Sequence, residues 1–182
     1  IEPDVNDMNS WFDGTAFIGV FDGQGHTISH LTVKGDSHLG LFGRLGLGAD
    51  IRNLGVVDTD IIGSGYWVGG LVGSNGGSID REGRRSGGTV TKCHSAGAVS
   101  GTEYVGGLVG YNASGTVIHC YSTGMVTGNS SVGGLVGGAD YPGDVTACFW
   151  DIQTSGQTAS AGGTGKTTAE MQTVSTFLYA GW

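Results

Sequence analysis

Apolar and polar residues alternate with a period near two over short stretches of the chain, and most stretches end in glycine or another turn-forming residue. Between residues 120 and 126, the even-numbered side chains would share one face of an extended strand and the odd-numbered side chains the other. This alternation is typical of half-buried strands rather than of helices. We therefore predict an all-β protein built from short strands.

A glycine-rich phrase recurs along the chain. It reads Leu-Gly-Leu-Phe-Gly at its first occurrence and Val-Gly-Gly-Leu-Val-Gly at the next three, with final glycines at Gly43, Gly73, Gly110 and Gly137. A second phrase alternates with it and starts at Cys93, Cys120 and Cys148, which are 27 and 28 residues apart. The repeat unit is therefore about 27 residues long, and one unit carries a longer insertion within residues 76–88.

This period predicts a parallel β-solenoid, because a propeller blade needs about 40 residues or more. Residues one coil apart would stack about 4.8 Å apart, and glycine would fill corners where φ is positive or where backbones approach closely. We expect right-handed coiling, since parallel crossovers strongly prefer that hand. The predicted ladders are Leu54/Cys93/Cys120/Cys148, Val99/Val126 and Leu41/Leu71/Leu108/Leu135.

The chain divides into a lead-in over residues 1–16, a solenoid over 17–150 and a polar loop with a short helix over 151–182. Thr167 and Glu170 have the spacing of a capping box, which predicts a helix start there. An apolar helix face follows, and we expect this helix to cover the open end of the solenoid core.

Composition excludes several classes of function. Gly accounts for 38 of 182 residues, and the net charge of −8 disfavours nucleic acid and anionic membranes as partners. No apolar run approaches the length of a membrane span, so we predict no membrane insertion. The three cysteines are expected to be buried and reduced, and no metal site or cofactor is predicted.

Two aromatic residues supply the best candidate for a ligand site. Trp67 and Tyr104 occupy the same slot in successive units, and Ser131 follows in the next. Two stacked outward rings could lie under a sugar ring, although cross-strand packing explains them equally well. Asp58 and Asp60 lie nearby in sequence and would add polar contacts or a calcium ligand.

A basic cluster within the insertion is a candidate partner site. Arg81, Arg84 and Arg85 contribute three of the eight basic residues of an acidic chain. They could bind an acidic partner or a neighbouring copy, and the alternative is a solvated loop. Exposed solenoid ends also predict self-association that grows with salt, because salt screens the repulsion between like charges.

Other polar motifs favour structural interpretations. His94 and His119 flank the cysteine slot and are interpreted as surface residues, and residues 22–26 as a tight turn. The segment 162–168 departs from a phosphate-binding loop, because Ser160 stands where that motif needs glycine. Asn112 and Asn129 match the glycosylation pattern, and their modification is left open.

At its recurring glycine phrases the chain resembles the GLUG-motif repeats, over about residues 17–182. That family includes bacterial surface and secreted proteins, such as filamentous-haemagglutinin-like adhesins and some IgA-specific metallopeptidases. The resemblance implies a non-catalytic stalk, spacer or adhesive module of a larger extracellular or cell-surface bacterial protein. Its partners would be surface glycans or cell-surface proteins of a host.

Two alternatives to the structural role stay open. One is a carbohydrate-binding module that uses the outward aromatic residues. The other is a polysaccharide-cleaving β-helix enzyme, which usually needs clustered carboxylates and a basic residue on one outer face. Lys92 shares its slot with His119 and Ala147 but with no carboxylate ladder, so we predict no catalytic residues.

Overall fold

A computed structural model describes residues 14–76, 78–79, 85–140 and 143–182, and these residues wind into a parallel β-solenoid. The first coil holds β1 (Val20–Asp22), β2 (Thr27–Ser29), β3 (Thr32–Gly35) and β4 (Phe42–Leu45). The second holds β5 (Asp50–Arg52), β6 (Gly55–Gly63), β7 (Tyr66–Gly69) and β8 (Val72–Gly76). A hairpin of β9 (Ser78–Ile79) and β10 (Arg85–Ser86) follows the second coil.

The third coil holds β11 (Thr89–Thr91), β12 (His94–Ser100), β13 (Glu103–Gly106) and β14 (Val109–Ala113). The fourth holds β15 (Thr116–Ile118), β16 (Tyr121–Ser122), β17 (Val126–Thr127), β18 (Ser130–Gly133) and β19 (Val136–Ala139). A fifth, incomplete coil holds β20 (Asp144–Thr146), β21 (Phe149–Asp151) and α1 (Ile152–Ser155). After it come β22 (Thr164–Lys166), α2 (Thr168–Met171) and α3 (Val174–Leu178).

Equivalent strands of successive coils pair in parallel and form four sheets. Sheet I is β1-β5-β11-β15-β20, sheet II contains β2, β3, β6, β12, β16, β17, β21 and β22, sheet III is β18-β13-β7 and sheet IV is β19-β14-β8-β4. The predicted pairing of Val99 with Val126 is confirmed by the register of sheet II. In the leucine ladder, the Leu71 and Leu108 amides donate to the carbonyls of Leu108 and Leu135.

The interior divides into two apolar clusters of different size. The larger lies under sheets I, II and IV and includes the leucine and cysteine ladders. The smaller consists of the buried residues Ile61, Val68, Val99, Val105 and Val126. The glycine phrase lies where backbones approach each other closely. A side chain at Gly106 would collide with the Val109 carbonyl oxygen, and one at Gly107 would collide with the Ser122 hydroxyl. These glycines therefore permit close packing of backbones.

The corners of the coils correct one expectation about glycine. Residues with φ near +50° turn two columns of corners, and most of them are not glycine. One column consists of Asn53, Lys92, His119 and Ala147, and the other of His38, Trp67, Tyr104 and Ser131. These columns carry polar and aromatic side chains, which are exposed at Lys92 and Ser131 and buried at His38.

The cysteine slot has the predicted arrangement. Cys93, Cys120 and Cys148 are buried and carry free thiols. The Cys93 amide donates to Sγ of Cys120 at 3.4 Å, and the Cys120 amide donates to Sγ of Cys148 at 3.3 Å. Burial raises the pKa of the Cys120 thiol well above its usual range, which keeps the thiol protonated.

The C-terminal part of the chain contains the predicted helix start, but the helices do not cover the predicted surface. Thr167 and Glu170 form the capping box, and two short helices, α2 and α3, follow. Phe177 of α3 packs on Tyr121 and Phe149, whose side chains project from the outer face of sheet II. The helices therefore cover a side of the solenoid, and the expectation that they cover the open end of its core is wrong.

The open end of the core is covered instead by the segment predicted to be a polar loop. The Ala161 amide donates to the Val136 carbonyl, and the Ser160 hydroxyl accepts from the Val136 amide at 2.9 Å. Trp150 is buried beneath this segment, and its indole donates to the Gln157 carbonyl at 3.0 Å. Residues 156–166 thus act as a partial coil because their backbone continues the hydrogen bonding of the coils below.

Candidate functional site

An aromatic cluster lies on the outer surface where sheets III and IV meet. It consists of His38, Tyr66, Trp67, Tyr104 and Tyr111. Three of these residues belong to one left-handed corner column, which projects successive side chains in the same direction. Tyr111 comes from β14 of sheet IV, so the cluster joins two sheets.

The ring geometry confirms that the two predicted aromatic residues stack. The ring centroids of Trp67 and Tyr104 are 6.5 Å apart, with 25° between their planes. Tyr111 lies beneath both, 6.0 Å from Trp67 and 5.1 Å from Tyr104. Tyr104 also lies over Gly138, where a side chain would collide with its ring. Glycine at that position therefore lets the ring lie close to sheet IV.

The cluster combines half-buried rings with polar groups. Trp67 and Tyr104 are each partly buried, whereas Tyr66 is 39% exposed. The Tyr111 hydroxyl donates to the carboxylate of Asp140 at 2.6 Å. Exposed ring faces beside a carboxylate are suited to sugars, because the ring covers C–H groups and the carboxylate accepts from hydroxyls.

At the end of the cluster that belongs to the first coil, the side chains are more buried and include the positively charged Arg44. His38 packs on Trp67 with 4.5 Å between ring centroids. Burial lowers the pKa of His38 to about 3, and the charge of Arg44 contributes in the same direction. Arg44 is itself half-buried, which lowers its pKa, and its Nε donates to the Gly76 carbonyl at 3.3 Å. His38 is therefore neutral at pH 7.

The structure does not bring the two predicted acidic residues into this cluster. Asp58 and Asp60 are exposed on β6 of sheet II, whereas Trp67 and Tyr104 lie on sheet III. Asp58 is the extra residue of a β-bulge, because β12 passes from the partner of Val57 directly to the partner of Thr59. The bulge leaves Asp58 exposed on sheet II.

The basic cluster is only partly within the described residues. Arg81 and Arg84 lie outside them. Arg85 begins β10, which pairs antiparallel with β9 as a hairpin, opposite Ile79. The insertion therefore leaves the parallel stack through a local hairpin, and its role as a partner site stays a prediction.

A second aromatic column lies at the corner between sheets I and II. His94, Tyr121 and Phe149 follow one another in register on sheet II, and the His94 and Tyr121 rings stack at 4.9 Å with 3° between them. The C-terminal Trp182 lies against Tyr121, Phe149 and His119. Burial lowers the pKa of His94 and raises that of Tyr121. The two histidines predicted to lie on the surface thus belong to a packed aromatic face.

Several other predicted polar motifs have structural partners. The Asp22 carboxylate accepts from Asn53, from the Gln24 amide and from Arg52, which lowers its pKa to about 2. Lys166 lies 3.9 Å from Glu170 and over the Phe149 ring. These side chains hold turns and helix ends together.

The two asparagines of the glycosylation pattern differ in exposure. Asn112 is fully buried in β14, and its amide donates to the Gly115 carbonyl at 3.0 Å. A buried side chain that closes a turn cannot carry a glycan in the folded protein. Asn129 is exposed, so the structure leaves it as the accessible one of the pair.

Sequence reasoning missed several members of the aromatic cluster. Tyr66 adjoins the column, His38 extends it into the first coil, and Tyr111 and Asp140 come from sheet IV. The available signal was the slot immediately after the final glycine of the phrase, where Tyr111 is in register with Ser74 and Gly138. The missing information was which outer faces meet across the corner.

Residues 101–127 match the sequence model of a known protein family, the GLUG motif. The matched residues run from the end of β12 to β17 and span one full coil, so one GLUG unit is one turn of the solenoid. The same glycine phrase recurs in the neighbouring coils.

The chain is also similar to two larger proteins. It is 33% identical over 123 residues to halomucin of Haloquadratum walsbyi, covering 60% of this chain and 1% of halomucin. A solved structure of a protein assigned as an immunoglobulin A1 protease from Bacteroides ovatus has a TM-score of 0.44 and 20% identity, over 79% of this chain and 54% of that one. The chain therefore corresponds to a small part of halomucin and about half of the solved chain.

Membrane-spanning helices and metal-binding groups are both absent from the described part of the chain. No helix in the described ranges has the length and apolar character needed to cross a membrane. Within the same part of the chain, no three His, Cys, Asp or Glu side chains come together in a group that could hold a metal ion.

Proposed function

We propose that this chain is a non-catalytic structural module of a larger extracellular protein, in which stacked GLUG coils serve as a stalk or spacer. The observation that carries the proposal is the continuous coil-to-coil register of all four sheets. Each coil buries its neighbour, so length is set by the number of coils. The similarity to a short part of halomucin supports a repeat module within a long protein.

The titratable side chains in the stack support the same role. Asp151 accepts from the Gln153 and Thr154 amides at the start of α1, and the cysteine thiols donate to backbone carbonyls. Asp22 holds the turn after β1, as described above. These groups stabilise the backbone of the stack, which is the work expected of a spacer.

Coil duplication tests the spacer proposal. Three extra copies of residues 101–127, placed after residue 127, should fold and lengthen the particle by about 14 Å, at about 4.8 Å for each coil. Small-angle X-ray scattering measures the longest dimension, and circular dichroism measures folding. A variant that folds without lengthening would contradict the proposal.

A second candidate function, glycan binding, is favoured by the aromatic cluster. Trp67 and Tyr104 form a stacked pair on the outer surface, with Tyr66 exposed beside them and Asp140 near Tyr111. This combination provides ring faces and a hydroxyl acceptor within one site. The ligand would be a surface polysaccharide, and the module would then be adhesive as well as structural.

A glycan array separates the two candidates. Binding that is abolished by Trp67→Ala together with Tyr104→Ala, and retained by Asp58→Asn together with Asp60→Asn, would support the aromatic site. Binding that survives the aromatic pair of changes would contradict it. Urea unfolding of each variant controls for loss of the fold.

A further inference from the structure

The corner between sheets I and II forms one continuous groove, of which only half is occupied. Its walls are the left-handed corner residues Asn53, Lys92, His119 and Ala147 on one side. On the other side are the first residues of the sheet II strands, Gly55, His94, Tyr121 and Phe149. Because both rows follow the coil register, equivalent positions recur at each coil along the groove.

The chain fills its own groove at the fourth and fifth coils. Trp182 lies 5.5 Å from the His119 ring and 6.0 Å from the Tyr121 ring, measured between centroids. Its indole N–H donates to the carbonyl of Ala147, a corner residue, at 2.9 Å. Phe177 packs edge-on against Phe149, with 5.6 Å between ring centroids. An aromatic peptide segment is therefore a demonstrated occupant of this groove.

The same groove is open at the first three coils. There it forms a cavity of about 420 Å³ whose lining includes Asn53, Gly55, Lys92 and His94. Gly55 leaves room for the His94 ring, which leans over it and stacks on Tyr121 on its other side. Lys92 stands where Ala147 stands at the occupied end, so its carbonyl is the equivalent acceptor for an indole N–H.

Charge distinguishes the open half from the occupied half. Lys92 is exposed and lines the cavity, whereas the Asp22 carboxylate, which accepts from the lining residue Asn53, is already paired with Arg52 at 3.0 Å. The chain as a whole has a net charge of −8, so a cationic spot of this kind favours an anionic partner at this position. The occupied half offers Ala147 at the equivalent place and has no such preference.

We propose that the open half of this groove is a docking site for an acidic peptide segment that carries an aromatic residue. The aromatic ring packs on His94, as Trp182 packs on Tyr121, and a neighbouring carboxylate of the peptide pairs with Lys92. The partner in this proposal is a separate protein, because the described aromatic residues Phe177 and Trp182 already occupy the groove at the fourth and fifth coils.

A designed peptide provides the test. The probe is a nine-residue peptide with the sequence of residues 174–182 in which S175D and A180D are introduced, titrated into the ¹⁵N-labelled full chain. We expect saturable amide shifts centred on Asn53, Gly55, Lys92 and His94. Replacing the peptide's tryptophan by alanine should abolish them.

Matched lysine variants test the role of charge. Lys92→Gln should weaken binding about fivefold, which corresponds to a partly exposed ion pair of about 1 kcal/mol. Lys34→Gln removes the same charge from an exposed position on β3, outside the cavity, and should leave binding unchanged. Thermal unfolding of both variants verifies that they are folded.

Four outcomes would overturn the proposal. Shifts centred on Tyr121 and Phe149 would mean that the peptide displaces the chain's own segment. Equal weakening by both lysine variants would indicate unspecific charge attraction. Shifts that depend on protein concentration without peptide would identify a second copy as the occupant. Absence of saturable shifts would show that the open half does not bind such a segment.

Discussion

Two aromatic columns run along this solenoid, and they differ in what covers them. The column of His94, Tyr121 and Phe149 is covered by Phe177 and Trp182, and Phe149 is only 6% exposed. The column of Trp67 and Tyr104 packs on His38 and Tyr111 but stays partly exposed, beside the exposed Tyr66. Ladder geometry alone therefore does not distinguish a packing surface from a binding surface, whereas coverage by a later segment does.

The largest expected effect separates the two columns by stability. Phe149→Ala should lower the free energy of unfolding by about 3–4 kcal/mol, because it leaves a cavity under Phe177 and Trp182. Tyr104→Ala should lower it by about 1–2 kcal/mol, since that ring is partly solvated. Urea unfolding measures both. Equal losses would mean that the open column is as much a part of the core as the covered one.

Lowering the pH should reduce the folding stability that His38 contributes at the first-coil end of the Trp67–Tyr104 column. The folded pKa of His38 is about 3 and its unfolded value about 6.5, so the unfolded chain takes up the proton first as the pH falls. The stability contributed by neutral His38 is complete above pH 6.5 and is lost progressively down to about pH 3. Between pH 6.5 and 5 the loss should approach about 2 kcal/mol, at about 1.4 kcal/mol for each pH unit.

His38→Asn provides the control for the acid effect. Asparagine tolerates the left-handed corner but does not titrate in this range. Its unfolding free energy, measured in urea at pH 6.5 and 5, should change less than that of the unchanged chain. A slope that is the same in both proteins would assign the acid sensitivity to other groups.

Replacing one sulfur atom in the core by oxygen should lower the free energy of unfolding. Cys120→Ser is expected to cost about 1–2 kcal/mol, because a hydroxyl replaces a buried thiol between the Cys93 and Cys148 slots. Thiol labelling of the unchanged chain should be slow when native and fast in urea. Rapid labelling of all three cysteines in the native state would contradict their burial.

The repeat itself was predictable because its physics is local and periodic. A 27-residue spacing places Cys93 over Cys120, and the alternation of residues 120–126 puts the even-numbered side chains inside, as the structure confirms. The glycine phrase was predictable as a close approach of backbones. The left-handed conformation of the corner columns was not predictable, because Trp67 and Tyr104 adopt a positive φ that their residue types do not favour.

The C-terminal segment was harder to place for a different reason. Its capping box is a local signal, and Thr167 and Glu170 form it as predicted. Which surface the helices cover depends on long-range contacts, such as that of Trp182 with Tyr121, which no sequence period reveals. The open end of the core is closed by polar residues such as Ser160, whose hydroxyl accepts from the Val136 amide, although an apolar helix face was expected there.

The smallest expected effect compares one hydrogen bond across the two columns. The Trp182 indole donates to the Ala147 carbonyl, whereas the buried Trp67 indole N–H has no acceptor among the described residues. Trp182→Phe and Trp67→Phe remove similar ring area, but only the first also removes a hydrogen bond. Trp182→Phe should therefore cost about 1 kcal/mol more than Trp67→Phe. Urea unfolding of the two variants and of the double variant measures this difference. A larger loss for Trp67→Phe would mean that its indole N–H has a bound acceptor, such as an ordered water, and that the open column is more fully satisfied than the covered one.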